Sequence, residues 1–336
     1  MRRASTTKKG TVRRLEINSA LLAHNILGDP ANRIIDVYVP YGESGRGLPL
    51  LVDLVGFTAG GPVHTNWKNF GENVPERLDR LIGDGAMPPV VVAFPDCFTK
   101  LGGNQYINSA AIGPYADFLR LEVVPLVEKE FACGGNGRRA CFGKSSGGYG
   151  AIIHAMRHGD FWSAAACHSG DMGFELCYLG DLPRVLTELA RRHGGSIERF
   201  IRNFEAAAKP GDADMTVLNF LAMAASYDPD PSQFLGIRLP AHADTAEIIA
   251  ERWANWLAHD PVNLAAASVE SLRKLKALYI DCGDHDQFHL QFGARRLHRL
   301  LDGLGIPHRY EEFPDNHSAV DYRMDESLPY IARALV

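Results

Sequence analysis

Between residues 48 and 280 the strand-like stretches are continuous apolar runs rather than alternating ones. Leu48 to Val55, Val90 to Phe94, Arg139 to Phe142, Ala164 to Cys167 and Ala277 to Ile280 are short and bounded by turn residues. Such runs are strands covered on both faces, so they predict a mostly parallel sheet packed between helices. Two more polar β-rich stretches, Thr11 to Asn18 and Arg33 to Val39, come first. The turn signal Gly28-Asp29-Pro30 lies between them and predicts an antiparallel pair. Helical spacing separates the apolar runs. Phe118, Leu119, Val123, Leu126 and Val127 mark a helix over Pro114 to Phe131, and further helices are expected over Ser146 to His158 and over Phe292 to Leu304, the last closed by Gly305. Alternation of strand and helix makes the class α/β, with right-handed crossovers.

The interval from about Gly173 to Pro261 breaks that alternation. Helical patterns recur there, at Leu182 to His193, Ile197 to Ala208 and Thr216 to Ala225, without an apparent parallel strand. The strongest begins at Asp244, an expected N-cap with Glu247 three residues on, and places Ile249, Trp253, Trp256 and Leu257 on one face. The expected organisation is a basic tail over 1–10, a core over 11–172 and 262–336, and a helical cap over 173–261 that packs its aromatic stripe on the main domain and walls the substrate pocket.

Composition adds few constraints. The chain has 336 residues, 46% hydrophobic and 22% charged, and a formal charge of −5, which gives no reason to expect nucleic acid. No apolar run approaches the roughly 20 residues of a membrane span. The basic N-terminus (Arg2, Arg3, Lys8, Lys9, Arg13, Arg14) is not followed by the apolar core of a secretion signal. Six scattered cysteines lack metal-type pairing and read as buried free thiols in a reducing compartment, so the cytoplasm is the expected location. The oligomeric state is left open, a homodimer included.

The candidate chemistry centres on Gly143-Lys144-Ser145-Ser146-Gly147, placed between an apolar strand and a helix. A Gly-x-Ser-x-Gly pentapeptide in that context holds a nucleophilic serine on a sharp strand-to-helix turn. A serine hydroxyl needs a neighbouring base, normally a histidine oriented by a carboxylate. On this fold the order is serine, acid, histidine, with the acid in a loop after a later strand. Asp286, in Asp281-Cys282-Gly283-Asp284-His285-Asp286-Gln287-Phe288, is the expected acid, with Asp284 its rival and Asp281 still on the strand. His317, in Phe313-Pro314-Asp315-Asn316-His317-Ser318, is the expected base. The intervals, 286 − 145 = 141 and 317 − 286 = 31 residues, leave room for the insertion and for one helix and one strand. Asp284, His285, Asp286 and His289 are also metal-ligand types, but the serine already accounts for the carboxylate. No metal or organic cofactor is expected. Oxyanion donors are expected from the backbone N–H of Ser146 and from the Gly-rich loop after the first apolar strand, at Phe57 with Gly56 the alternative.

These pieces resemble the esterase branch of the α/β hydrolases that includes the esterase D/S-formylglutathione hydrolases, enterochelin esterases and mycolyltransferases. The resemblance rests on Val55-Gly56-Phe57-Thr58, on the serine motif extended through Gly148-Tyr149-Gly150-Ala151, on Asp281 to Phe288 and on Asn316-His317-Ser318. It implies Ser145, Asp286 and His317 as a triad, with Phe57 and Ser146 as oxyanion donors. The segment Leu101 to Ser109 also looks like a loop that approaches the active site in such proteins. Gln105 and Tyr106, with Trp253 of the insertion, are therefore substrate-binding candidates. Val55 stands where many relatives carry histidine, and the long insertion is unlike the compact S-formylglutathione hydrolases. The expected function is hydrolysis of a small-molecule carboxylic ester through an acyl-enzyme. An acyltransferase or thioesterase using the same residues, and a non-catalytic binding protein of this fold, are the alternatives.

Overall fold

A computed structural model describes residues 7–135 and 137–336. The strands of its main sheet are β1 (Thr11–Asn18), β2 (Asn32–Val39), β3 (Leu50–Leu54), β4 (Val91–Pro95), β5 (Arg139–Lys144), β6 (Ala164–His168), β7 (Ala277–Gly283) and β8 (Arg309–Phe313). Among the described residues they form one eight-stranded sheet in the order β1-β2-β4-β3-β5-β6-β7-β8. β2 is antiparallel to β1 and β4, and each neighbouring pair from β4 to β8 is parallel. The apolar runs become the middle of the sheet: β3, β4, β6 and β7 are buried at every residue. The polar stretch becomes the edge, where β1 is largely exposed and its charged side chains discourage further strand pairing.

Helices cover both faces. On one face α1 (Val74–Gly83) and a C-terminal helix (Met324–Arg333) bury Leu78 and Leu328 with Leu51, Val92, Phe142 and Tyr279. On the other, α2 (Val124–Phe131), α3 (Ser146–Arg157) and the helix Leu290–Gly303 pack over Val52, Cys141, Ala165 and Leu278. The single helix expected over Pro114 to Phe131 is divided, with a π-helical stretch at Phe118–Val123 before α2. Pro125 has no N–H to give to the carbonyl four residues back, and the widened turn absorbs that missing bond.

Between β6 and β7 the chain forms α4 (Leu182–His193), α5 (Ile197–Ala206), α6 (Asp212–Tyr227) and α7 (Ala250–Leu257). The helix expected from Asp244 starts only at Ala250. Asp244 and Thr245 lie in a turn, Ala246 is left-handed (φ 59°), and Ala241 pairs with Ile248 across it. The Thr245 hydroxyl accepts the Glu247 N–H, so local side-chain bonding competes with the helix and no capping box forms. Trp256 is fully buried against Phe220, Tyr227 and Tyr178. This cluster continues through Tyr227 to Tyr149 on α3, so the stripe's buried member reaches the main sheet's helices.

The expected tail is only partly a tail. Residues 1–6 lie outside the described residues, but the Gly10 N–H donates to Asp79 Oδ1 at 2.7 Å and Lys8 sits over the Tyr41 ring, so the segment is docked there. All six cysteines are free and five are buried, and burial pushes the thiols of Cys97, Cys141 and Cys167 up. Among the described residues no helix is long and apolar enough to cross a membrane.

His154, fully buried on α3, makes a pH prediction. Its Nε2–H donates to the Tyr106 carbonyl and its Nδ1 accepts from Trp162 Nε1, which fixes a neutral ring. Burial, helped by the charge of His158, pushes its pKa down to about 3. Below the ordinary value of 6.5 the unfolded chain takes up a proton that the folded one refuses, so this group lowers stability as pH falls. It should remove about 2 kcal/mol between pH 6.5 and pH 5. Urea melts across that range should show a shallower slope for His154→Gln than for the wild type.

Candidate active site

Ser145 occupies the junction of β5 and α3 with φ 58° and ψ −126°, a conformation that costs an L-residue energy. Its N–H donates to the His168 carbonyl on β6 and its carbonyl accepts from Tyr149, so the turn is pinned from both sides. The flanking glycines are obligatory: a Cβ at Gly143 would lie 2.2 Å, and one at Gly147 1.7 Å, from the Leu54 carbonyl oxygen. The backbone of β3 therefore passes directly against the serine turn.

His317 and Asp286 come together from the loops after β8 and β7. His317 Nδ1 lies 2.7 Å from Asp286 Oδ2, and both side chains are buried. Asp286 Oδ1 accepts the Phe288 N–H, while Gln287 Oε1 accepts the His317 N–H, so each partner is held from its backbone side. The Phe288 ring stands edge-on to His317 at 4.9 Å. Asp284, the rival acid, is turned away to His285. Asp281 is on β7, as expected, and binds His168 Nδ1 and Arg323. His168 is not a competing base, because its other nitrogen is tied to Ser327. Ser145 and His317 line the same cavity of about 620 Å³, without a hydrogen bond between them among the described contacts. Such bonds are often long in unliganded sites.

The loop after β3 runs beside the serine: a Cβ built at Gly56 would lie 3.6 Å from the Ser145 Cβ. Among the described residues, neither the Phe57 nor the Ser146 N–H donates to a protein acceptor. Phe57 is fixed by the Leu101 to Asn104 segment, since Gly103 N–H donates to the Phe57 carbonyl and a Cβ at Gly103 would fall 2.4 Å from that oxygen. Gly103→Ala should therefore displace the loop, and on the expectation that the Phe57 N–H serves as an oxyanion donor it should cut kcat by about 100-fold. Steady-state kinetics beside a circular dichroism spectrum would check it.

None of Gln105, Tyr106 and Trp253 is on the cavity wall. Gln105 is buried behind it, donating to Ser146 Oγ at 2.8 Å, and the Tyr106 hydroxyl donates to the Val55 carbonyl at the base of the loop. Trp253 packs against Trp256. Motif resemblance located the first two near the site, but their side chains are consumed by the backbone and polar groups that shape it.

Several wall residues escaped the sequence reading. Asp171, after β6, accepts from the Tyr178 hydroxyl, and burial raises its carboxyl despite that bond. Asp181 and the first two turns of α6, through Met215 and Asn219, bring the insertion to the cavity. From the core side come His64, Lys144 and Asp321. His64 Nδ1 is 2.5 Å from buried Asp53. Burial pulls the His64 pKa down, but the Asp53 charge and hydrogen bond outweigh it and leave it raised. Only Lys144 carried a signal in the sequence, as the variable position before the nucleophile. Of metal-ligand types, His298, Asp302 and His308 cluster among the described residues, away from the cavity, whereas Asp284, His285, Asp286 and His289 do not converge.

The strand order, and a strained serine turn after β5 facing loops from β7 and β8, place the chain among the α/β hydrolases. The model of the family described as Putative esterase matches residues 30–329. The chain belongs to that family and is a carboxylic-ester hydrolase. No curated protein matches it. Among solved structures it is similar to a ferulic acid esterase (TM-score 0.64, 18% identity, 97% of this chain and 100% of that one). It is also similar to a fluorophosphonate-binding serine hydrolase of Staphylococcus aureus (0.60, 16%, 98% and 100%). An S-formylglutathione hydrolase from Agrobacterium tumefaciens is a third (0.60, 16%, 99% and 98%).

Proposed function

We propose that the chain hydrolyses its ester through an acyl-enzyme on Ser145. Ser145 Oγ attacks the ester carbonyl while His317 Nε2 takes its proton. Asp286 holds the imidazole by Nδ1 and stabilises the imidazolium that forms. Charge on the carbonyl oxygen is received by the Phe57 and Ser146 N–H groups, the latter at the positive end of α3. His317 then passes its proton to the leaving alcohol and activates the water that releases the acid. The cavity, with Phe57, Tyr178, Met215 and Phe288 on its wall, suits an acyl group of aryl size, and α6 with the Phe174–Cys177 helix would act as its cap. One observation carries this reading: the strained Ser145 and His317, whose Nδ1 is held by buried Asp286, line the same cavity. Product analysis tests it. With an aryl ester in water, the free acid and alcohol should appear in equal amounts, and an added alcohol acceptor should not divert most of the acyl group. Diversion to a new ester would make the protein an acyltransferase.

A further inference from the structure

Lys144 precedes the serine as the last residue of β5, and its side chain reaches the cavity wall half-buried. Among the described residues no carboxylate lies within ion-pair distance of its ammonium, and it makes no hydrogen bond there. The other charges on this side are already matched. Lys68 pairs with Asp321, and His64 pairs with Asp53. The second nitrogen of His64 binds no described protein group, although the ring lines the same cavity. Asp171 and Asp181 lie on the cap side, and neither figures among the charges that act on Lys144 or His64. A half-buried cation without a partner is costly, and an incoming anion relieves that cost.

We propose that Lys144, with His64 on the same cavity wall, receives a carboxylate carried by the substrate a few bonds from the scissile carbonyl. This rests on the ester-hydrolase reading above and narrows it to anionic esters. A single unpaired ammonium matches a monoanion, and His64, in the protonated form that the Asp53 charge favours, offers the carboxylate's second oxygen its Nε2–H. Burial pulls the Lys144 pKa down and the charges of Asp321 and Asp286 restore only part of it, as expected of a site completed by its ligand.

The test pairs neutral esters with carboxylate-bearing ones: 4-nitrophenyl acetate with 4-nitrophenyl hemisuccinate for the acyl side, phenyl acetate with 3-acetoxybenzoate for the alcohol side. At low salt, kcat/KM should be at least about tenfold higher for the carboxylate member of one pair. Added salt should erode that preference in the wild type. Lys144→Met should bring the ratio close to one, Lys144→Arg should keep it, and His64→Gln should lower it. Calorimetry of the same compounds on Ser145→Ala separates the two claims. If that variant binds the carboxylate member more tightly while the wild type hydrolyses nothing, the anion site stands and the hydrolase reading falls. Equal kinetics and equal binding within both pairs, or a preference that Lys144→Met leaves untouched, overturns the anion site.

Discussion

Ser145→Ala lowers kcat/KM for an activated ester by at least about 10⁴-fold, the scale seen when a serine nucleophile is removed. The fold should survive. The hydroxyl makes no hydrogen bond among the described contacts, and the strained φ of 58° is imposed by the backbone bonds to His168 and Tyr149 rather than by the side chain. An unchanged melting curve beside the lost turnover is the expected pair of results. A small loss in rate would mean that the chemistry happens elsewhere.

Asp286→Asn is expected to cost about 10⁴-fold in kcat with little effect on KM. The Asn can keep its oxygen on the Phe288 N–H, but it then presents an NH₂ to His317 Nδ1. The ring answers with the wrong tautomer, which puts the proton on the nitrogen that must accept one from Ser145. Asp284→Asn is the control. Its carboxylate faces His285 and sits outside the His317 pair, so kcat should stay within about twofold. Comparable losses in both variants would mean that charge in this loop matters more than the geometry of the pair.

The sheet was legible because its middle strands are buried on both faces, which leaves continuous apolar runs such as Leu50–Leu54 and Ala277–Gly283. The helix at 250–257 was misplaced for a local reason. Asp244, Thr245 and Glu247 are as good a turn as a cap, and only the left-handed Ala246 decides between them. That Asp286 meets His317, and that His317 and Ser145 line one cavity, was legible as a placement because strand-end loops and chain order constrain it. The charged side of the cavity was not. Asp53 reads as an odd polar residue in a buried strand until His64 is found against it, and that pairing depends on how the segment after β3 turns back. Gln105 shows the reverse: its neighbourhood was visible by resemblance, but only the fold reveals that its NH₂ donates to Ser146 Oγ from behind the cavity.

The central claim is that Ser145 is an activated nucleophile, and a fluorophosphonate probe tests it most directly. Folded wild-type protein should be labelled stoichiometrically, with the adduct mapped by mass spectrometry to Ser145, and labelling should slow sharply in His317→Ala. No label on the folded protein, or an adduct on any other residue, would contradict the account.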